Sequence, residues 1–410
     1  MEDWEKSNRS WIPFTILIVL VIAALGYILF GGVSPSGENV RYTVQPSLGC
    51  VAIQEGGDPK DKVDIVFLPE NYESLQEFRD KALLLIDSFL STPPYDKYPD
   101  RFNFYRIEDL SLNLNCNYKY GGDAIVCNPS SVKSASVLCP HDYPIVLVDV
   151  DGIQKFYELL RSSSWLGTSS LNVADDPLVF AHEFAHAAYD FADEYEYGGN
   201  INWKAPNCDP SWQTCPMFQS VEGAACVRGC VNDNHARSIN VGIMRDYWKS
   251  KRYGTYNEYF IENWLLDATP GSDLETVQES IPLYSVKMSF MKDEWKVEEF
   301  VESEGFPDGI NNNIEDSVLL LDGDGKTLAE VGLPSTQIYL DGYDALGNPL
   351  PQVDKAGLVE TMVYFPIVEG ADKISIEKDG EIVKSYKIDD LIFSPSSNSQ
   401  SISIPELYEL

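Results

Sequence analysis

The sequence predicts an α/β (α+β) domain built around a metal-binding helix, then an all-β, Ig-like sandwich, with an N-terminal transmembrane helix ahead of both. Three observations carry this reading. His182-Glu183-Phe184-Ala185-His186 spells His-Glu-x-x-His behind an apolar run. Strand-like and helical patterns alternate from about residue 60 up to that motif, whereas only short alternating runs follow residue 283. Residues 11 to 30 carry no charge, and at roughly 1.5 Å per residue they match a bilayer core of about 30 Å.

The expected organisation follows: a short cytoplasmic N-terminus (1–10), the anchor (11–30), a Gly/Ser/Pro linker (31–59), the domain with the metal motif (60–282), the β-sandwich (283–393) and a serine-rich disordered tail (394–410). Lys6 and Arg9 precede the apolar segment, so the positive-inside rule sends the bulk of the chain outside, although Arg41 follows it. A cleaved signal peptide is the rival. Its apolar region is normally shorter and ends in small residues of A-x-A type, whereas this one runs into Leu29-Phe30-Gly31-Gly32. The expectation is a single-pass protein of the cell membrane with its folded part extracellular.

Composition agrees with a folded chain: 44% of residues are hydrophobic and 12% aromatic. A formal charge of -34 repels phosphate backbones, which disfavours nucleic acid, and none is expected as a partner. The 8 cysteines all lie between Cys50 and Cys230. Export makes them up to four disulfides, with Cys116 and Cys127 closing the excursion through Gly121-Gly122. Cys208, Cys215, Cys226 and Cys230, with His235 nearby, could instead hold a structural zinc ion, the reading that export disfavours.

In chain order, Val63 to Leu68 reads as a buried strand. Ser74 to Leu90 has helical spacing and is stopped by Pro93-Pro94; Phe102 to Ile107 and Pro144 to Asp149 are strands, and Ile153 to Leu160 a helix. Asp175-Asp176-Pro177 is a helix start that leads through Leu178 to Ala181 into His182. Asn257 to Leu266 reads as another helix. Strands are then expected at Tyr284–Phe290, Ser317–Leu321, Gln337–Leu340, Thr361–Phe365, Lys373–Glu377 and Ile382–Ile388, with Asp-Gly turns between several of them. Asp322 and Asp324 are a weak calcium candidate, since their D-G-D-G turn lacks the distal glutamate of an EF-hand loop.

On a helix, His182 and His186 lie one turn apart on one face and can grip one ion, while Glu183 supplies a carboxylate to take a proton from an activated water. A catalytic zinc site needs a third ligand. In the metzincin pattern that ligand falls ten residues after the first histidine, which is Ala192 here; the acid nearest that position is Asp193, at +11, followed by Glu194. Eleven residues of unbroken helix rise roughly 16 Å, so Asp193 can join the pair only if the helix ends soon after His186 and the chain turns back near Tyr189. The alternative is a glutamate from the later helix, Glu258 or Glu262.

These residues resemble the IgA metallopeptidase family, zinc peptidases of metzincin type with a motif similar to H-E-F-G-H followed by A-D-E-Y. The likeness rests on His182 to His186, on Phe191-Ala192-Asp193-Glu194-Tyr195, on Asp64-Ile65-Val66-Phe67-Leu68-Pro69-Glu70-Asn71-Tyr72, on Tyr98 to Asn103 and on Ile243-Met244-Arg245, within residues 60 to 266. It departs at Ala185, where the family carries glycine, and at Tyr189-Asp190, where glycines are common. The resemblance implies a metzincin-like zinc peptidase domain with His182, His186 and Asp193 as zinc ligands, Glu183 as general base and Met244 packed beneath the metal. Tyr247 or Arg245 could then donate to the oxyanion. The expected partners are a protein or peptide substrate and, through the N-terminal helix, the membrane. The rival from another class is a cell-surface binding or adhesion protein with a structural metal site.

Overall fold

The computed structural model describes residues 49–119, 124–150, 160–196, 205–268, 280–292, 294–308, 316–336, 338–340 and 359–392. The expected anchor (11–30), the serine-rich tail and nearly all of the helix expected at Ile153–Leu160 lie outside these residues. Among the described residues no helix is long and apolar enough to cross a membrane.

The first half contains strands β1 (Cys50–Gln54), β2 (Val63–Glu70), β3 (Phe102–Ile107), β4 (Asn117–Lys119), β5 (Ala124–Val126), β6 (Tyr143–Val148), β7 (Ser163–Trp165), β8 (Thr168–Asn172), β9 (Val227–Cys230) and β10 (Asn232–Arg237). Its helices are α1 (Leu75–Leu90), α2 (Pro129–Ser136), α3 (Val179–Tyr189) and α4 (Thr255–Ala268). Strands β2, β3, β6 and β8 run parallel, and β1 and β7 flank them antiparallel.

Strand β2 explains why its sequence reads as an unbroken apolar run. Successive side chains point to opposite faces, and both faces are covered. Ile65 and Phe67 enter a core shared with Phe78, Leu85 and Phe89 of α1, Phe180 and Phe184 of α3, and Ile261 and Leu265 of α4. Val66 and Leu68 enter a second core with Val132 of α2, Tyr105 and Val146. Helix α1 begins where its spacing predicted, with the Ser74 hydroxyl accepting from the Glu77 amide at 3.3 Å. Phe89 at its far end stacks on Phe180 at 4.8 Å and meets Phe184 edge-on at 5.2 Å, which seats α1 against α3.

The second half forms two antiparallel sheets. One holds β11 (Ile281–Met291), β12 (Glu294–Gly305) and, later in the chain, β16 (Val359–Pro366); the other holds β13 (Asp316–Asp322), β14 (Thr327–Gly332), β17 (Ala371–Lys378) and β18 (Glu381–Lys387). Val286, Met288 and Val363 from the first share one core with Val318, Leu320, Ile374 and Ile376 from the second, a sandwich-like arrangement. Asp379 (φ 51°) and Gly380 (φ 80°) make the two-residue turn between β17 and β18, the conformation that favours Asp-Gly. Strands β12 and β14 escaped the sequence reading. In β12 only Trp295, Phe300 and Gly305 are buried, so its pattern is mostly polar.

One expected sandwich strand belongs elsewhere. Gln337–Leu340 contributes β15 (Ile338–Leu340), which pairs antiparallel with β7 and completes a seven-stranded sheet ordered β1-β3-β2-β6-β8-β7-β15. Three alternating residues fit either sheet, and the open edge of β7 decides the partner.

Four disulfides are present: Cys50–Cys139, Cys116–Cys127, Cys208–Cys230 and Cys215–Cys226. The Cys116–Cys127 staple matches the expectation. The other pairings occupy all four cysteines of the 208–230 segment, so the alternative of a cysteine zinc site there does not hold.

Candidate metal centre

Helix α3 carries His182, Glu183 and His186, each no more than 2% exposed. Its start differs from the expectation. The helix begins at Val179, and Leu178 before it has no side-chain cap. Asp176 acts one turn earlier, its Oδ1 accepting from the Leu178 amide at 2.9 Å and its carbonyl from the Val179 amide at 2.9 Å.

The helix ends as an Asp193 ligand requires, one residue later than Tyr189. Asp190 adopts the left-handed conformation (φ 56°, ψ 31°), and its amide donates back to the His186 carbonyl at 3.2 Å. Tyr189 stays helical and buried, with its hydroxyl bonded to that of Tyr95 at 3.2 Å. Among non-glycine residues, Asp and Asn tolerate left-handed backbone best. A chain without glycine here can therefore turn at Asp190 and could not do so cheaply at Tyr189.

The turn brings Asp193 back to the histidines. Its Oδ1 lies 3.2 Å from His182 Nε2 and 3.5 Å from His186 Nε2, and the two Nε2 atoms are 3.1 Å apart. Metal–ligand bonds of about 2.0–2.2 Å in tetrahedral geometry place donors roughly 3.3–3.5 Å from one another. The tautomers agree with this spacing. His182 Nδ1 faces the Ile243 carbonyl at 3.1 Å, and His186 Nδ1 faces the Phe191 carbonyl at 2.5 Å. A carbonyl only accepts, so each Nδ1 carries the proton and each Nε2 turns a lone pair inward. Two imidazole lone pairs and a carboxylate oxygen thus converge on one point, a donor set that suits a cation. Among the described residues this is the one group of three His, Cys, Asp or Glu side chains close enough to share an ion. Burial works to raise the Asp193 carboxyl; when no ion is bound, His186 and His182 protonated at Nε2 as well hold it below the usual carboxylate range.

The residues around Asp193 are held by their main chain. Asn207 brackets Ala192, accepting from its amide and donating to its carbonyl, both at 2.8 Å. The Glu194 amide donates to the Met244 carbonyl at 2.8 Å, and Arg245 Nη1 donates to the Glu194 carbonyl at 2.8 Å. Asn257 Nδ2 donates to Glu194 Oε1 at 2.7 Å. Burial pushes the Glu194 carboxyl up to about 7 against the opposing influence of Asn257, Arg237, Asn207 and Arg245.

The other expected residues fall as follows. Met244 is fully buried in the core that carries α3. Arg245 holds the Glu194 carbonyl, as described. The Tyr247 ring packs 5.3 Å from the His182 ring, and its hydroxyl donates to Asp175 Oδ2 at 2.9 Å. Glu258 is engaged by Arg252 at 2.5 Å and Glu262 by Lys97 at 2.5 Å, so the geometry favours Asp193 as third ligand over both. Asp322 Oδ1 accepts from the amides of Asp324 (3.0 Å) and Lys326 (2.8 Å), which engages the calcium candidate in its own turn.

Sequence reasoning missed four supports of the site, two on α3 and two on the segment that returns after it. The Ser164 hydroxyl on β7 donates to the Glu183 carbonyl at 2.8 Å, and the Tyr253 hydroxyl donates to the Ala181 carbonyl. Asn207 and Asn257 are the others. Single polar residues far away in the chain carry no periodic signal. A cleft opens beside His186, lined by Ser164, Trp165, Asp190 and Tyr339, with Lys133 and Asp308 also on its wall.

No protein-family model matches this chain, and a comparison with curated proteins returns no match.

Proposed function

We propose that the chain is a membrane-anchored, extracellular zinc metalloendopeptidase. One observation carries the reading: the convergence of His182 Nε2, His186 Nε2 and Asp193 Oδ1 at 3.1–3.5 Å from one another, on the helix that also bears Glu183. A zinc ion held there would supply Lewis-acid polarisation of a peptide carbonyl and of the attacking water. His182 and His186 present neutral imidazoles, and Asp193 contributes the negative charge. Glu183 takes a proton from the attacking water and passes it to the departing amine nitrogen. Tyr247, against the His182 ring, is the candidate to steady a developing oxyanion, in exchange for its bond to Asp175. The four disulfides suit an oxidising compartment, and the uncharged stretch 11–30 supplies the anchor.

Burial favours a second reading. Glu183 and Asp193 have 0% exposure, which suits a structural metal site in a cell-surface binding or adhesion protein. Casein or gelatin cleavage separates the two. The peptidase reading expects cleavage that a zinc chelator abolishes and added zinc restores. It also expects Glu183→Gln to keep the metal while turnover falls by about 10²–10⁴-fold. A Glu183→Gln protein that cleaves at the unaltered rate would sink the general-base role, and a metal-loaded chain that cleaves nothing would favour the structural site.

A further inference from the structure

We propose that Tyr339 is a positioning residue of the metal centre, so that the site is completed by a strand from the second half of the chain. The inference rests on the metal reading of His182, His186 and Asp193. Tyr339 lies 149 positions from Asp190 in sequence, yet touches the site twice. Its ring stacks on the His186 imidazole, centroids 4.3 Å apart and planes inclined by 13°. Its hydroxyl donates to Asp190 Oδ1 at 2.6 Å. The first contact restrains the plane of a ligand. The second restrains the left-handed residue that turns the chain back toward Asp193.

Strand register explains how one side chain reaches both. Tyr339 pairs with Ser164, the residue whose hydroxyl holds the Glu183 carbonyl. Neighbouring strand residues point to opposite faces. Ile338 accordingly joins the sandwich core, and Tyr339 faces α3. Strand β15 is therefore a bridge, with one side chain in the sandwich core and the next against the metal ligands. His186 is held on two sides, by the Phe191 carbonyl at Nδ1 and by the tyrosine on its ring face. Groups that orient metal ligands in this way are typically worth about 10–100-fold in metal affinity.

The test uses the full-length protein and Co²⁺ alone as the probe. Its readouts are affinity, by competition with a chromophoric chelator, and the visible absorption bands of the bound ion, which report ligand geometry. Tyr339→Leu is expected to weaken Co²⁺ binding by about 10–100-fold and to shift the bands. Tyr339→Phe keeps the stack, so it is expected to retain the bands and lose only a few-fold in affinity. Asp190→Gly keeps the left-handed turn but removes the acceptor. In a Tyr339→Phe background it should then cost less than it does alone, because the bond it breaks to Tyr339 is already gone.

Unaltered affinity and bands in a folded Tyr339→Leu protein would overturn the proposal. Should that variant not fold, the Tyr339→Phe and Asp190→Gly pair decides: non-additive losses support positioning, and strictly additive ones overturn it. If the unaltered protein takes up no Co²⁺, the metal reading itself has failed, an outcome distinct from equal binding by all variants.

Discussion

Strand β2 of the α/β half is buried at every position, whereas β18 of the C-terminal half is exposed everywhere except Tyr386. The difference shows where each half gets its rigidity. The α/β sheet is sandwiched between helices and loops on both faces, and all four disulfides lie in that half. The C-terminal sheets share one core, which also takes in Trp165 and Leu166 of the first half, and contain no cysteine. The three residues that could hold an ion sit in the doubly covered half, where helix ends and returning loops are held by packing. Tyr339 brings the C-terminal half against them, through its ring on His186 and its hydroxyl on Asp190.

Substitutions can break or sharpen this contrast. The largest effect is expected at Phe67, fully buried in β2 and 5.4 Å from Phe180. Phe67→Ala should cost about 3–5 kcal/mol of unfolding free energy in a denaturant titration; a cost near 1 kcal/mol would show that the helical cover yields easily. Next comes the Cys50–Cys139 bridge, which closes an 89-residue separation. Replacing both cysteines with alanine should cost about 2–4 kcal/mol, chiefly by freeing the unfolded chain. Calorimetry resolving the two halves should show the α/β transition falling and the C-terminal one holding, and equal falls would mean that the halves unfold as one unit.

A smaller effect is expected at the helix end. Asp190→Ala leaves a Cβ in left-handed backbone but removes the carboxylate that Tyr339 bonds, at about 1–2 kcal/mol. Asp190→Gly should recover the backbone part, and a glycine variant no more stable than the alanine one would argue against a left-handed residue here. The smallest effect is expected on β18: Val383, 59% exposed, should accept threonine within about 0.5 kcal/mol. A larger loss at Val383 would show that the exposed face of β18 is covered in solution.

Much of this was legible beforehand. The buried run of β2, the extent of α1 and its Ser74 cap follow from period and local chemistry. The Asp-Gly turn between β17 and β18 follows from the backbone it requires. At the site, the His182–His186 pair and the need for a helix end before Asp193 could be argued from rise per residue alone. The location of the break could not. The spacing places the turn near Tyr189; that Tyr189 itself packs inward and Asp190 turns depends on a pocket for the tyrosine formed by Tyr95 and Trp264. Strand β12 was missed because an edge strand has too few buried positions to show a period.

The sequence by itself determined the residues that can hold an ion, because i and i+4 on a helix are neighbours whatever the rest of the chain does. It also determined which strands are buried on both faces, because a covered strand must be apolar throughout. Only the tertiary structure decided that Asp193 and neither Glu258 nor Glu262 meets the histidines, that the four cysteines near residue 220 pair with one another, and that β15 joins β7. Those outcomes turn on which distant segments satisfy an open sheet edge, a buried carbonyl or a neighbouring charge. Such competition is settled across the whole folded chain, beyond what any local spacing records.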